Sequence, residues 1–335
     1  MKIDGALTME KLGESGSAAA RLESLGFDGG FSFEGPHDPF LPLVDAARAT
    51  ERLELGTAIA VAFARNPMTC AQQANDLQLL SGGRFILGLG TQIKPHIVKR
   101  FSMPWSKPAA RMREFVLAIK AIFHTWETGE RLDFRGEFYN HTLMTPFFNP
   151  GPNPHGAPPV FLAGVGPKMV EVCGEVADGF FVHPLHTPEY LHAVTLPALH
   201  KGAASAGRET ASCQVSCQTI LCLGSSDEEV QRARQKARGQ VSFYGSTPAY
   251  RGVLDHHGYE ELQPKLNRMS KEGKWLEMMA EIDDDLLDGV AVSGTPAQVA
   301  KRLRERNDFA DRSMLVIYDE AGDGAVGDLL AACKA

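Results

Sequence analysis

Five stretches of the sequence gather side chains that could do chemistry, and each one follows a short apolar run. The densest is Glu34-Gly35-Pro36-His37-Asp38, where a carboxylate and an imidazole could exchange protons with a ligand or orient it. A turn competes with that reading, with Asp38 capping a helix that begins at Pro39. Ala58-Ile59-Ala60-Val61 is followed by Ala62-Phe63-Ala64-Arg65. Such small side chains either pack plainly or leave room for a flat ring against backbone. Gly88-Leu89-Gly90-Thr91-Gln92, with Lys94 and His96 beyond, is not the dinucleotide fingerprint, which would need glycine in place of Ile93. Ala163-Gly164-Val165-Gly166-Pro167-Lys168 runs into a helix, so its backbone N–H groups could face an anion; tight turns also use glycine. His183 and His186 have a spacing that a metal would accept, but no third ligand gathers nearby and no metal is expected. The six cysteines contain no C-x-x-C pair and read as buried small apolar residues.

The elements that must position these groups alternate. Apolar runs over 3–7, 29–33, 53–61, 84–90, 158–164, 178–182, 215–224 and 313–319 read as strands. Most are separated by stretches with helical spacing. Asn66-Pro67 marks one helix start, because Asn caps well and proline suits the first turn. Thr295-Pro296-Ala297-Gln298 has the capping-box pattern before Val299 and Leu303. Eight buried strands with intervening helices predict a parallel sheet, and eight is the number that closes a (β/α)8 TIM barrel. The 335 residues then form one barrel domain with insertions after strands four and seven, at about 91–107, 127–157 and 225–290. The middle one reads as a hairpin or extended excursion, the last as polar and helical. In a barrel, function belongs to the C-terminal strand ends, where all five stretches fall. Thr8-Met9-Glu10, after the first strand, lacks the His-x-His of metal-dependent hydrolase barrels.

Composition narrows the partners. A net charge of −7 without a long basic block argues against nucleic acid. No apolar run approaches the ~20 residues of a membrane span. The first residues lack the basic-then-apolar layout of a secretory signal, so a cytoplasmic protein is expected.

Taken in order, FEGPHDPFLPLVDAA, LGTAIAVAFARNP, LSGGRFILGLGTQ, PPVFLAGVGPKM, ADGFFVHP and SGTPAQVAKRL resemble the luciferase-like oxidoreductase superfamily, nearest its branch that uses the 8-hydroxy-5-deazaflavin coenzyme (coenzyme F-420). The match runs from Ile3 to about Asp319. The resemblance implies a barrel with deazaflavin or, as an alternative, FMN in its mouth, and a homodimer is possible by the same likeness. It implies a non-prolyl cis peptide between Ala58 and Ile59 behind the ring, with Ala60 beside it. The family's polar contact to the ring after strand four falls near His96, Gln92 is close to where some relatives place an acid, and Thr91 is counted with them as cofactor-binding. Gly164, Val165 and Gly166 match the backbone beside ring and phosphate, and Lys168 fits an anion site. The strand-two acid corresponds to Glu34, where relatives often carry Asp. The histidine that commonly follows it is replaced by Gly35, which leaves His37 without a direct counterpart. The basic cluster used by sugar-phosphate dehydrogenase relatives is missing, which disfavours a phosphorylated sugar.

The expected activity is therefore hydride transfer between an organic substrate and C5 of the deazaflavin, with Glu34, His37 or His96 moving the matching proton. The alternatives are an FMNH2- and dioxygen-dependent monooxygenase and a non-catalytic flavin-binding barrel. Glu34→Gln is expected to lower turnover with little change in coenzyme affinity, and Gly166→Asp to weaken coenzyme binding.

Overall fold

The computed structural model describes residues 1–7, 12–319 and 321–335, so the Thr8-Met9-Glu10 stretch lies outside the described residues. Eight parallel strands pair in chain order: β1 (Lys2–Ala6), β2 (Gly29–Ser32), β3 (Glu54–Thr57), β4 (Phe85–Gly90), β5 (Val160–Ala163), β6 (Gly179–Val182), β7 (Gln214–Leu223) and β8 (Arg312–Ile317). Closure comes from β8 returning to β1, with Ile3 opposite Ser313. This is the (β/α)8 barrel that the alternation predicts.

Strand three departs from a continuous 53–61 run. It pauses after Thr57 and resumes at Ala60–Val61, which pairs with Leu89 and Gly90 of β4. The two expected helix starts are present. Asn66 Oδ1 accepts the Thr69 N–H at 3.0 Å to open α1 (Pro67–Leu80), and the Thr295/Gln298 box opens α2 (Pro296–Arg306). Residues 188–205 are helical but contain a π turn, Leu191–Thr195, just before Pro197, which has no N–H to give an ordinary helix.

The barrel interior is aromatic. Phe31, Ile86, Phe161, Phe181 and Met314 fill it, with Phe31 and Phe161 ring centroids 5.7 and 5.3 Å from Phe181. Beneath them the Arg312 guanidinium grips both Asp4 carboxylate oxygens at 2.8 and 2.6 Å and reaches Glu54 at 2.5 Å. A buried cation survives there because every charge has a partner. Above them lie Ala58, Ile59 and Ala163, partly exposed, as the floor of the mouth.

The 127–157 excursion holds the expected hairpin, with Phe134 opposite His141. Residues 225–290 are helical, with their own core of Val241, Leu254, Leu266 and Leu287 packed on Ile220 and Cys222 of β7. They end in a strand that patterning does not reveal: Ala291–Gly294 pairs parallel with Ile220 to Leu223. Four residues are too few for a periodic signal. Among the described residues no helix is long and apolar enough to cross a membrane.

Candidate active site

Glu34 follows β2, and its side chain is only 6% exposed. Its Oε2 accepts the Val61 N–H at 2.7 Å and Arg65 Nη1 at 2.5 Å, while its own N–H donates to the Ile59 carbonyl at 3.1 Å. Ala58 N–H meets Ser32 O at 2.6 Å. The peptide between Ala58 and Ile59 is cis, at the position the resemblance implies. Glu34 thus fastens both sides of this segment. Gly90 stands behind it, where a Cβ would fall 2.8 Å from the Ile59 side chain.

Arg65, which sequence reasoning did not single out, is the hub of this wall. Its second amino group holds Asp38 Oδ2 at 2.8 Å, and its guanidinium lies 5.5 Å from the Phe40 ring centroid. Burial opposes its charge, but hydrogen bonding and attraction from Glu34 and Asp38 win, so its pKa is raised. The signal was legible in part: Arg65 is the one charge between an apolar run and a helix cap. Asp38 does cap, as the turn reading expects. Its Oδ1 accepts the N–H groups of Phe40 and Leu41 at 2.9 and 3.3 Å, and the helix itself starts at Leu41 rather than Pro39.

The loops after β2 and β4 are joined by Arg100, which donates to the Gly35 carbonyl at 2.6 Å. His37 is partly buried and His96 exposed, the latter opening a π turn, His96–Arg100. Neither imidazole has a hydrogen-bond partner among the described residues. Gln92 takes a left-handed backbone (φ 59°) and caps the Ile93 N–H with its own Oε1 at 2.9 Å, while Thr91 Oγ1 donates to the Gln92 carbonyl. Ala60 is fully buried and contributes backbone only.

The opposite wall is built differently. Gly166 (φ 82°) opens the helix Pro167–Val176 with open space where a Cβ would stand, and Lys168 is exposed beside it. Gly164, Val165 and Gly166 border a narrow cavity of about 40 Å³, shared with His183, His186, Tyr190 and Tyr250. Burial pushes both imidazoles down to about 3, aided at His186 by the nearby Arg306 charge. Burial also pushes the Tyr250 phenol up to about 12. Tyr250 belongs to the 225–290 insertion and was missed from sequence, because that stretch carries no motif. His183 and His186 each turn Nδ1 to backbone, toward Leu185 N–H and His183 O, and no group of three potential metal ligands forms among the described residues. Five cysteines are buried and the sixth partly so, and burial raises their thiols above the ordinary range.

The insertion is tied down over this wall. Arg232 and Lys236 pair with buried Asp319 at 2.9 and 2.6 Å, Tyr244 OH meets Tyr318 OH at 2.9 Å, and His257 Nε2 meets Thr187 Oγ1 at 2.7 Å. Partly buried Arg306 donates to the carbonyls of His186, Gly289 and Val290, and its Nε has no partner among the described residues.

Comparison with known proteins bears on the family and the fold. The profile of the luciferase-like monooxygenase family matches residues 2–313. An uncharacterized protein of Mycobacterium tuberculosis is 50% identical over 330 residues, covering 98% of this chain and 97% of that one. The 5,10-methylenetetrahydromethanopterin reductase of Archaeoglobus fulgidus is 27% identical over 77% of this chain and 75% of its own. The coenzyme F420-dependent tetrahydromethanopterin reductase of Methanopyrus kandleri superposes with a TM-score of 0.81 at 18% identity, covering 98% and 97% of the two chains.

Proposed function

The chain belongs to the luciferase-like monooxygenase family, and from that premise we propose that it is a deazaflavin-dependent oxidoreductase moving a hydride between the coenzyme and an organic substrate. The observation that carries this reading is the shape of the mouth. Its floor is small and apolar (Ala58, Ile59, Ala163) over aromatic packing. Apolar side chains that follow the neighbouring strands are left exposed: Phe33 by 44%, Ile93 by 38% and Val165 by 38%. Exposed apolar surface gathered at the strand ends calls for a flat hydrophobic occupant. A planar tricyclic ring fits, and the glycine turn leaves backbone free for its polar chain. The similarity to two methanopterin reductases supports deazaflavin over FMN.

When bound, the coenzyme supplies a carbon-centred donor or acceptor of two electrons with one proton's nucleus, chemistry no side chain here can perform. The protein's own work is placement. Ala58, Ile59 and Ala60 support the ring from behind, and Glu34 and Arg65 hold that segment still. Thr91 and Gln92 set the course of the loop that carries His96. Gly164 to Gly166, with Lys168, receive the anionic portion. The proton that accompanies the hydride falls to His37 or His96, whose ring nitrogens are uncommitted, whereas Glu34 is engaged by Arg65 and Val61.

Titrating the purified protein with the oxidised deazaflavin, and separately with FMN, tests the reading through absorbance and fluorescence. Saturable binding of deazaflavin with weak or no binding of FMN is the expected result. Preference for FMN would move the assignment to a flavin monooxygenase, and failure to bind either would remove the proposal.

A further inference from the structure

Charge is distributed unevenly along the chain. Acids outnumber bases by 41 to 34, yet between Asp76 and Glu114 there are seven cationic side chains and no acidic one. Four of the seven are engaged. Arg84 donates to the Thr50 and Ser81 carbonyls and Arg111 to Tyr139 OH, while Lys107 and Arg113 pair with Glu137 and Glu175. The other three stand on the turn after β4. Lys94 and Lys99 have no partner among the described residues, and Arg100 has only the Phe101 ring and the neutral Gly35 carbonyl. Elsewhere exposed lysines are commonly matched, as Lys201 is with Glu171 and Lys265 with Glu281.

The turn that carries them is held in place. Ile97 is fully buried beneath it, and the Phe101 and Met103 N–H groups donate to the His96 and Ile97 carbonyls, each at 3.0 Å. Lys94, Lys99 and Arg100 are left exposed around this anchor. Arg100 reaches the loop after β2, but the acids of that loop, Glu34 and Asp38, are taken by Arg65. On the other side Leu89 of β4 pairs with Leu162 of β5, so the turn leaves the barrel next to Gly164–Gly166 and the exposed Lys168. Cations from two neighbouring loops therefore edge one side of the mouth without a matching carboxylate. Like charges gathered at a cleft add their fields and raise the local concentration of anions.

We propose that the Lys94–Arg100 turn is a binding site for a polyanionic chain, one with two or more carboxylates or phosphates, on a ligand whose ring lies in the mouth. The place of that ring rests on the deazaflavin reading. The donors are exposed and spread along the turn rather than converged in a pocket. That arrangement suits a flexible chain with separated charges better than one enclosed phosphate, and it makes the attraction sensitive to salt. Two ligands could bring such a chain, the coenzyme itself or an anionic substrate.

The test is calorimetric titration of the full chain with citrate, a small polyanion, and with acetate, which carries a single charge. Saturable citrate binding is expected, with none for acetate, and raising the salt from about 0.05 to about 0.3 M should weaken it several-fold. The double variant Lys94→Glu/Lys99→Glu should bind citrate about tenfold more weakly or worse. Arg131→Glu/Lys271→Glu, which makes the same change in net charge at exposed positions elsewhere, should bind it as the parent does. Citrate binding no better than acetate, full affinity in the Lys94/Lys99 variant, or an equal loss in both variants would each overturn the proposal. Repeating the titration with the deazaflavin coenzyme bound identifies the source of the chain. Citrate shut out means that the coenzyme's own chain fills the site; citrate still bound means that the site is left for the substrate. A protein that takes citrate but no deazaflavin overturns the earlier reading alone, and one that takes deazaflavin but no citrate overturns this one alone.

Discussion

The two walls of the mouth solve the same positioning problem with opposite chemistry. On the β2–β3 side charge is used: Glu34 and Asp38 converge on Arg65, and the group fastens backbone. On the β5–β6 side the cavity lining itself is uncharged: imidazoles and tyrosines surround it, Arg306 stands just behind and donates to the His186 carbonyl, and Arg232 and Lys236 pair with Asp319. A half-buried ion pair tolerates little movement, because losing one partner strands the other. A neutral aromatic wall can admit different ligands at smaller cost.

The sharpest way to break the contrast is Arg65→Leu. It strands Glu34 and leaves Asp38 without its cation, and removing one member of such a pair costs about 3–5 kcal/mol. Denaturant unfolding should show that loss, together with loss of deazaflavin binding; a change below about 1 kcal/mol would mean the wall does not depend on the ion pair. Glu34→Gln sits next. Glutamine can still accept the Val61 N–H, but the Arg65 pairing becomes neutral–charged, so a smaller loss of about 1–3 kcal/mol is expected. Coenzyme affinity should fall with it. This revises the sequence-based expectation that affinity would hardly change, because the structure has Glu34 holding the floor.

Acid should act on the neutral wall. His183 and His186 have folded pKa values near 3 against an ordinary 6.5. Between those limits the unfolded chain binds protons that the folded chain refuses. Stability is therefore fully present above about pH 6.5 and declines as pH falls toward 3, by up to about 1.4 kcal/mol per pH unit for each histidine. Between pH 6.5 and 5, where most carboxylates stay ionised, His186→Phe should visibly flatten the slope of unfolding free energy against pH. An unchanged slope would mean the ring is already protonated or solvated. Smallest is Tyr244→Phe, which removes one hydrogen bond to Tyr318 and should cost about 0.5–1.5 kcal/mol by thermal unfolding, without touching coenzyme affinity.

Much of the barrel was legible because its signals are local. Period and punctuation mark eight strands, and cap chemistry at Asn66 and Thr295 marks helix starts to within a residue. The cis peptide could be placed at Ala58–Ile59 through resemblance, since nothing in the composition of AIAV demands it. What stayed hidden depends on distance along the chain. Arg65 meets Glu34 across 31 residues, Tyr250 reaches His183 across 67 or so, and the Ala291–Gly294 strand exists only because β7 offers an edge. Likewise the histidine pair read as a weak metal spacing until its Nδ1 atoms were seen turned to backbone. Pairings of that kind are written in the tertiary structure.

β7 is ten residues long, and one of its edges is divided: Gln214 to Cys217 pair with β6, and Ile220 to Leu223 pair with Ala291–Gly294. That division fixes where the molecule can be cut and rejoined. An exchange of the 225–290 segment between relatives that stops at residue 290 would leave a foreign chain entering a native ladder, with the register of four residues unguided. A seam placed beyond Gly294, at the Thr295 cap, carries the ladder along with the segment, including Tyr250, its contribution to the cavity wall. An exchange made at that joint thus keeps the Ile220–Leu223 pairing intact.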